Sequence, residues 1–164
     1  LSEVIPFEYT DIPTGTSVLD WIVPDEWNCD DAYIVKPDGT KMAEFKKRNI
    51  HLVQYSIPIE KELELDQLKP YLHTLPDMAD HFPYVASYYT RQWGFCISQN
   101  EYDAMTPGIY KVVIKSTLKP GLLRFGEAVL PGKTDREILL SGYLCHPQMA
   151  NHELSGVLGM INLY

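Results

Sequence analysis

Short apolar runs separated by turn-forming residues predict several strands in the first half of the chain. The runs at 32–35 and 41–45 flank a Pro-Asp-Gly sequence at 37–39, a combination typical of a β-hairpin. Residues 49–57 predict a further strand, whereas the leucines of 61–72 recur at spacings that favour a helix. These patterns together predict a mixture of strands and short helices.

The second half of the chain carries longer apolar runs. Residues 110–117 and 122–130 predict two strands, and residues 137–144 form a nearly continuous apolar run, which is typical of a strand covered on both faces. Apolar residues then recur at helical spacing from 154 to 163. We therefore expect the chain to finish as a strand, a short loop and a helix, which is the opening of an α/β unit.

A helix start is predicted near the middle of the chain. Ser98 and Glu101 have the spacing of a capping box, in which each side chain binds the backbone N–H of the other residue. The preceding residues, 84–97, are rich in aromatic and β-prone side chains. We expect one helical turn to follow this aromatic stretch.

Composition limits the class of protein and its partners. With 164 residues and 45% hydrophobic content, the chain can bury the core of one domain, or of a core fragment with an inserted lobe. The net charge is −8, and the 14 lysines and arginines are scattered apart from a short run at 46–48. This balance disfavours nucleic acids and anionic membranes as partners. Peptides and small soluble substrates remain as candidate partners. The sequence does not indicate an oligomeric state.

The cysteines and the chain ends bear on location and completeness. Cys29, Cys96 and Cys145 are odd in number and far apart, no signal-peptide pattern opens the chain, and no apolar run reaches the length of a membrane span. We therefore expect a cytoplasmic protein. The chain starts without Met and ends at Tyr164 inside a helical pattern, so we expect it to be a piece of something longer.

Two histidines near the end of the chain are the candidate metal ligands. In open α/β sheets, ligands gather beyond the carboxyl ends of strands, and His146 follows the apolar run 137–144 at such a place. His152 stands at the start of the predicted helix, so both imidazoles could face one crevice. Neutral imidazole is a common zinc ligand. Glu153 adds a carboxylate, although its simpler role is to favour the positive N-terminal end of the helix.

The segment CHPQMANHELSG at 145–156 resembles the first half of the metal site in zinc exopeptidases of the aminopeptidase type. The chain is more narrowly similar to a bacterial subfamily of uncharacterised aminopeptidase-like proteins with an inserted domain of unknown function. Phrases that carry this similarity are TGTSVLDWIVPDEWN, DAYIVKPDG, HTLPDMADHFPYVASYYTRQWGFC and LLRFGEAVLPG. The resemblance implies an α/β fold: a partial zinc-exopeptidase-like sheet with helices at 1–27 and 106–164, and an inserted β-rich α+β lobe at 28–105.

The resemblance also implies a pair of zinc ions held by a His, a bridging Asp and further Glu, Asp and His ligands, with a Glu as general base. It maps the first His onto His146 and the bridging carboxylate onto position 152, which is His152 here. A carboxylate can give one oxygen to each of two metals, but a neutral imidazole offers one lone pair. Gln148 stands where many members have Asp. The later family residues, including the general base, would lie beyond Tyr164.

Two functions from different classes follow. The first is a fragment of an aminopeptidase-like zinc metallohydrolase that acts on peptide or amide bonds and is inactive as an isolated chain. The alternative is a non-catalytic peptide- or glycan-binding module on a degenerate peptidase scaffold. We expect Cys145 to be a buried thiol, and His51, His73 and His81 to be structural or surface residues. In the alternative function, a group of aromatic residues could form a platform for the ligand, although aromatic residues in strands more often belong to the core. The group comprises Tyr84, Tyr88, Tyr89, Trp93 and Phe95.

Overall fold

The computed structural model describes residues 3–146 and 149–164 of the chain. Two compact units are formed, one by Leu1–Ile12 with Leu123–Tyr164 and a larger one by Pro13–Leu122. Both strands and short helices are present, so the mixed α/β character that the sequence predicts is confirmed. Within the described ranges, no helix has both the length and the apolar content that a bilayer crossing requires.

The regular elements are short and follow one another closely along the chain. The strands are β1 (Glu8–Pro13), β2 (Ser17–Val18), β3 (Trp21–Ile22), β4 (Glu26–Val35), β5 (Lys41–Met42), β6 (Ile59–Glu64), β7 (Leu72–His73), β8 (Phe95–Cys96), β9 (Ile109–Lys119) and β10 (Leu122–Glu127). The α-helices are α1 (Leu65–Leu68), α2 (Gln99–Asp103), α3 (Ala150–Glu153) and α4 (Ser155–Leu163). Two 3₁₀ turns cover Asn49–His51 and Lys69–Tyr71.

The larger unit is built on a four-stranded antiparallel sheet in the order β5-β4-β9-β6. Successive residues of a strand point to opposite faces, and every second side chain of β9 therefore faces the core. Tyr110, Val112 and Ile114 contribute to the core from that strand, and Ala32 and Ile34 contribute to it from β4. The predicted hairpin around 37–39 is confirmed as the β4–β5 connection.

Helix α1 and the strand β8 close the core beneath this sheet. Leu65 and Leu68 contribute from α1, and Phe95 and Ile97 contribute from β8 and the residues after it. All four side chains are buried. The capping box that the sequence predicts is confirmed, because the Ser98 backbone N–H donates to the Glu101 carboxylate and the Glu101 N–H donates to the Ser98 hydroxyl.

Two predicted elements of the larger unit are wrong. Residues 61–72, predicted as a helix, begin as the end of β6 and contain only one turn of α-helix. Leu63 and Leu65 fit a spacing of two as well as a helical spacing, and pairing of β6 with β9 decides for the strand. Residues 49–57, predicted as a strand, begin with a 3₁₀ turn and continue without a named strand.

The smaller unit contains β1 paired with β10 and the two helices α3 and α4. Arg124 on β10 donates two hydrogen bonds of 2.7 Å to the Asp11 carboxylate on β1. The helix predicted over 154–163 is confirmed as α4. The strand predicted over 137–144 is wrong, since these residues form no strand and are exposed. A doubly covered strand needs neighbours that accept its hydrogen bonds, and the described residues supply none to this segment.

Candidate functional site

His146 and Glu153 form a buried pair of polar side chains in the smaller unit. Only 6% of His146 and 4% of Glu153 is exposed to solvent. Burial lowers the pKa of His146, because desolvation disfavours the imidazolium, and the negative charge of Glu153 opposes this shift. The neutral ring is therefore the favoured form of His146. That form carries a lone pair, which is what a metal ion or a proton donor would bind.

The backbone explains how Glu153 is positioned. The N–H of Glu153 donates to the Met149 carbonyl at 2.7 Å, and the Met149 N–H donates to the His146 carbonyl at 3.2 Å. The Glu153 carboxylate then accepts the backbone N–H of Cys145 at 2.5 Å. Helix α3 is thus tied to the residue that immediately precedes His146. The sequence interpretation of Glu153 as a helix-start residue missed this contact.

His152 has different surroundings. It is exposed, and its Nε2 atom is hydrogen-bonded to the hydroxyl of Tyr143. The two rings meet edge to face with centroids 5.1 Å apart. One ring nitrogen of His152 is therefore engaged by Tyr143, while His146 lies beside Glu153. The sequence gives Tyr143 no predicted role, because it lies inside the apolar run 137–144.

The donor set of the described residues does not by itself fit a zinc ion. Zinc sites use three or four protein ligands. Within 3–146 and 149–164, histidine, cysteine, aspartate and glutamate side chains form no group of three that could hold a metal. The pair of His146 and Glu153 alone falls short of the three ligands that a zinc site needs. Gln148, which the resemblance places where many members have Asp, lies outside the described residues.

Two of the three cysteines are poor nucleophiles, and the third is exposed. Cys145 is exposed, so the predicted buried thiol at this position is wrong. Burial raises the pKa of the Cys29 thiol to about 11 and that of the Cys96 thiol to about 12. Both thiols stay protonated at neutral pH, and the thiolate is the form that attacks or binds metal. Cys29 and Cys96 are therefore structural residues.

The aromatic group divides between core and surface. Trp93 and Phe95 are buried in the larger unit, whereas 82% of Tyr89 is exposed. Tyr89 meets Tyr88 edge to face at 6.4 Å between ring centroids, and Tyr88 meets Tyr55 in the same way at 4.8 Å. These three tyrosines line a cavity of about 290 Å³ in the larger unit.

Two further features mark this cavity. An ion pair of 2.8 Å joins Arg91 to Asp25 at its wall. Tyr55 has a backbone φ of 68°, a left-handed conformation that is rare for a bulky residue. Strained backbone of this kind clusters at ligand sites, where surrounding structure holds it.

Comparison with known proteins identifies the family. Residues 26–117 match a domain of unknown function, DUF2172. This chain belongs to the DUF2172 family. The matched residues lie inside the larger unit, so His146 and Glu153 stand outside the DUF2172 match.

Two similar proteins from Clostridium acetobutylicum extend the comparison. One, provisionally described as a polysaccharide biosynthesis protein with an aminopeptidase-like domain, is 48% identical over 153 residues, which are 93% of this chain and 35% of that protein. The other is a crystal structure provisionally described as that of a peptidase, with 45% identity and a TM-score of 0.89 over 98% of this chain and 38% of that one. The DUF2172 chain spans little more than a third of either relative. The expected resemblance to aminopeptidase-like proteins is confirmed at that level.

Proposed function

We propose that this chain is part of a peptidase-like hydrolase that acts on peptide or amide bonds. The observation that carries the proposal is the TM-score of 0.89, at 45% identity, to a protein provisionally described as a peptidase. The 48% identity to a relative described as having an aminopeptidase-like domain agrees with it. Because the chain covers about a third of both relatives, we expect the isolated chain to be inactive.

Within that proposal, His146 is the residue of this chain that serves the reaction centre. Its neutral ring suits coordination of zinc, which is the metal that the sequence resemblance implies. The remaining ligands would come from parts of the longer protein outside these 164 residues. Glu153 acts as a positioning residue, because it holds the backbone beside His146. His152 offers one lone pair at most and contacts Tyr143, so it does not bridge two metal ions.

The test uses the full-length protein that contains this chain. Metal content and hydrolysis of aminoacyl-naphthylamides are measured for the unaltered protein, for His146→Ala and for His81→Ala. His81 is an exposed histidine paired with Asp80 in the larger unit, and it controls for the loss of any imidazole. We expect His146→Ala to lose both metal and turnover, and His81→Ala to keep both. Full metal content and turnover in His146→Ala would overturn the proposal.

A second candidate function is non-catalytic binding of a peptide or a glycan at the tyrosine-lined cavity. It is favoured by the exposure of Tyr89 beside Tyr88 and Tyr55, since aromatic faces and hydroxyls suit sugar rings and peptide side chains. The relative that is provisionally described as a polysaccharide biosynthesis protein adds support for a glycan. NMR titration with neutral oligosaccharides and short peptides tests it. Binding that survives chelation and His146→Ala, but not Tyr89→Ala, would favour this function over hydrolysis.

A further inference from the structure

A second and larger cavity lies in the larger unit, beside the β4–β5 hairpin and the end of α2. Its volume is about 610 Å³. Small-molecule sites in proteins typically enclose about 300 to 1,000 Å³, so a ligand of ordinary metabolite size would fit. The side chains that line it include Arg48, His51, Phe82, Glu101 and Met105.

His51 presents a hydrogen-bond acceptor to this cavity. Only 6% of the residue is exposed, and its Nδ1 lies 2.9 Å from the backbone carbonyl of Cys96. A carbonyl can only accept, so Nδ1 carries the hydrogen and, in the neutral ring, Nε2 carries the lone pair. Asn49 Oδ1 is the one buried side-chain polar atom of the described residues that lacks a hydrogen bond. No described residue hydrogen-bonds to Nε2, and because this atom is not among the buried unpaired ones, it is accessible at the wall of the cavity that His51 lines.

Arg48 provides a cation at the same wall. Its guanidinium carbon lies 5.2 Å from the centroid of the Phe82 ring, and the His51 ring meets Phe82 edge to face at 4.7 Å. Both polar groups thus lie against one phenyl ring. Within the described part of the chain, the Arg48 side chain makes no ion pair with a carboxylate. A guanidinium that stacks on an aromatic ring keeps its N–H edge available for a planar anion.

The carboxylates around the cavity are already engaged. Asp38 pairs with Lys36 at 3.3 Å, and Glu44 pairs with Lys47 at 2.6 Å. One Glu101 oxygen accepts the backbone N–H of the α2 cap at 2.9 Å and its hydroxyl at 2.8 Å. None of them neutralises the guanidinium on Phe82. Lys41, the other lining cation without an ion pair among the described residues, lies 3.6 Å from the centroid of the Tyr33 ring. The four lining cations exceed the three lining carboxylates by one, so the cavity has a net positive charge in a chain whose net charge is −8.

We propose that this cavity binds a small organic acid. Its carboxylate pairs with Arg48, and an N–H or O–H group next to the carboxylate donates to His51 Nε2. Its apolar body packs on Phe82 and Met105. One available guanidinium matches the single charge of a carboxylate, and the two can form parallel hydrogen bonds. The residues that line the site lie inside the DUF2172 match, whereas His146 lies outside it.

The experiment is calorimetric titration of the full-length protein with four probes. N-acetyl-phenylalanine offers a carboxylate with a neighbouring amide N–H, and phenyllactate offers a carboxylate with a neighbouring hydroxyl. N-acetyl-phenylalanine amide lacks the charge, and inorganic phosphate lacks the apolar body. We expect saturable binding of one or both acids, and at least tenfold weaker binding of the amide and of phosphate. The two acids show which donor His51 accepts.

Variants connect the binding to the proposed groups. Arg48 is exposed, so the Arg48→Ala variant should fold normally. Its affinity for the acid should fall by about 10- to 100-fold, the usual effect of losing a charged hydrogen-bond partner. Arg48→Lys keeps the positive charge but loses the planar fork of N–H groups. Its affinity for the acid should lie between those of the unaltered protein and Arg48→Ala. Lys46→Ala is the matched control, because Lys46 pairs with Asp31 and does not line the cavity. His146→Ala should leave the acid binding unchanged.

A direct readout of His51 completes the test. Nitrogen NMR of the imidazole distinguishes Nδ1 from Nε2, and the acid should shift the Nε2 resonance while Nδ1 stays on its carbonyl. Absence of saturable binding by both acids would overturn the proposal. Equal binding of the uncharged amide would do so too, as would unchanged affinity in Arg48→Ala or an Nε2 resonance that does not respond.

Discussion

The larger and the smaller unit both carry long apolar runs, but they bury them to different extents. In the larger unit, strands β4 and β9 both contribute buried residues to one core. In the smaller unit, Ile5 is the one buried hydrophobic residue among those described, and Ile138 and Leu139 are 90% and 89% exposed. The difference shows that apolar sequence makes a strand only where neighbours complete its hydrogen bonds. A patch like that of the smaller unit is typical of a surface that another part of a protein covers.

Core truncation gives the largest expected contrast between the units. Phe95→Ala removes a fully buried ring and should lower the free energy of unfolding by about 3–5 kcal/mol, because transfer and cavity costs add. Leu139→Ala removes an exposed side chain and should change it by about 0.5 kcal/mol or less. Urea unfolding followed by far-UV circular dichroism measures both variants, because this signal reports on the backbone of both units, whereas Trp21, Trp27 and Trp93 all lie in the larger one. Equal midpoints would erase the contrast.

Adding a methyl group to a glycine should act in opposite directions in the two units. A Cβ at Gly94 would lie 2.9 Å from the Tyr71 carbonyl oxygen and 3.1 Å from a Val53 methyl, so Gly94→Ala should cost about 1–3 kcal/mol. A Cβ at Gly159 in α4 meets nothing within 4 Å, and Gly159→Ala should stabilise the helix by up to about 1 kcal/mol. Urea midpoints report the first, and amide hydrogen exchange in α4 reports the second. Destabilisation of α4 by alanine would contradict this.

Replacing a helix-terminal serine by alanine should also cost more stability in the larger unit than in the smaller one, but the difference should be smaller than for the core substitutions. Ser98→Ala removes the cap of α2 and should cost about 1 kcal/mol. Ser155 donates instead to the Asn151 carbonyl one turn earlier, a contact that contributes little to helix stability, so Ser155→Ala should be nearly neutral. Thermal unfolding of both variants makes the comparison. A cost at Ser155 equal to that at Ser98 would show that the smaller unit depends on its own helices more than its burial indicates.

Acid titration gives the smallest effect. Hydrogen bonds from Thr40 lower the pKa of Asp38 in the hairpin turn to about 2. Because the folded pKa lies below the ordinary value of about 4, the stabilisation is present above pH 4 and is lost as the pH falls toward 2. Thr40→Ala should return the Asp38 pKa toward its ordinary value in a carboxyl NMR titration. In the smaller unit, Arg124 lowers the pKa of Asp11, and Arg124→Gln should raise it; an unmoved carboxyl would refute either cause.

Local chemistry explains which elements could be predicted from sequence. The hairpin depends on Gly39, which adopts a φ of 82°, and the start of α2 depends on two side chains three positions apart. Both signals are contained in a few adjacent residues. The apolar residues of 61–72 fit both the spacing of a strand and that of a helix, and pairing with the distant strand β9 determines that the segment begins as a strand. The run 137–144 has the composition of a buried strand but no described partner, which composition cannot reveal.

The candidate site was predictable only in part for the same reason. His146 stands out in the sequence because of the motif around it, but the burial of Glu153 and its bond to the Cys145 N–H arise from the fold of α3 against the preceding segment. The contact of Tyr143 with His152 likewise joins residues with no shared pattern. His51, interpreted as structural or surface, is buried against Phe82, which is 31 positions away in the chain.

The bond between His51 and the Cys96 carbonyl has a consequence for how DUF2172 sequences vary. The carbonyl belongs to the backbone, so every amino acid at position 96 supplies it, and the ring orientation of His51 is insensitive to the identity of that residue. Among family members, the amino acid at position 96 should therefore vary without any accompanying change at position 51, even though the two residues are hydrogen-bonded. Covariation between these two columns of a family alignment should be absent, whereas the shape of β8 should be retained wherever the histidine is.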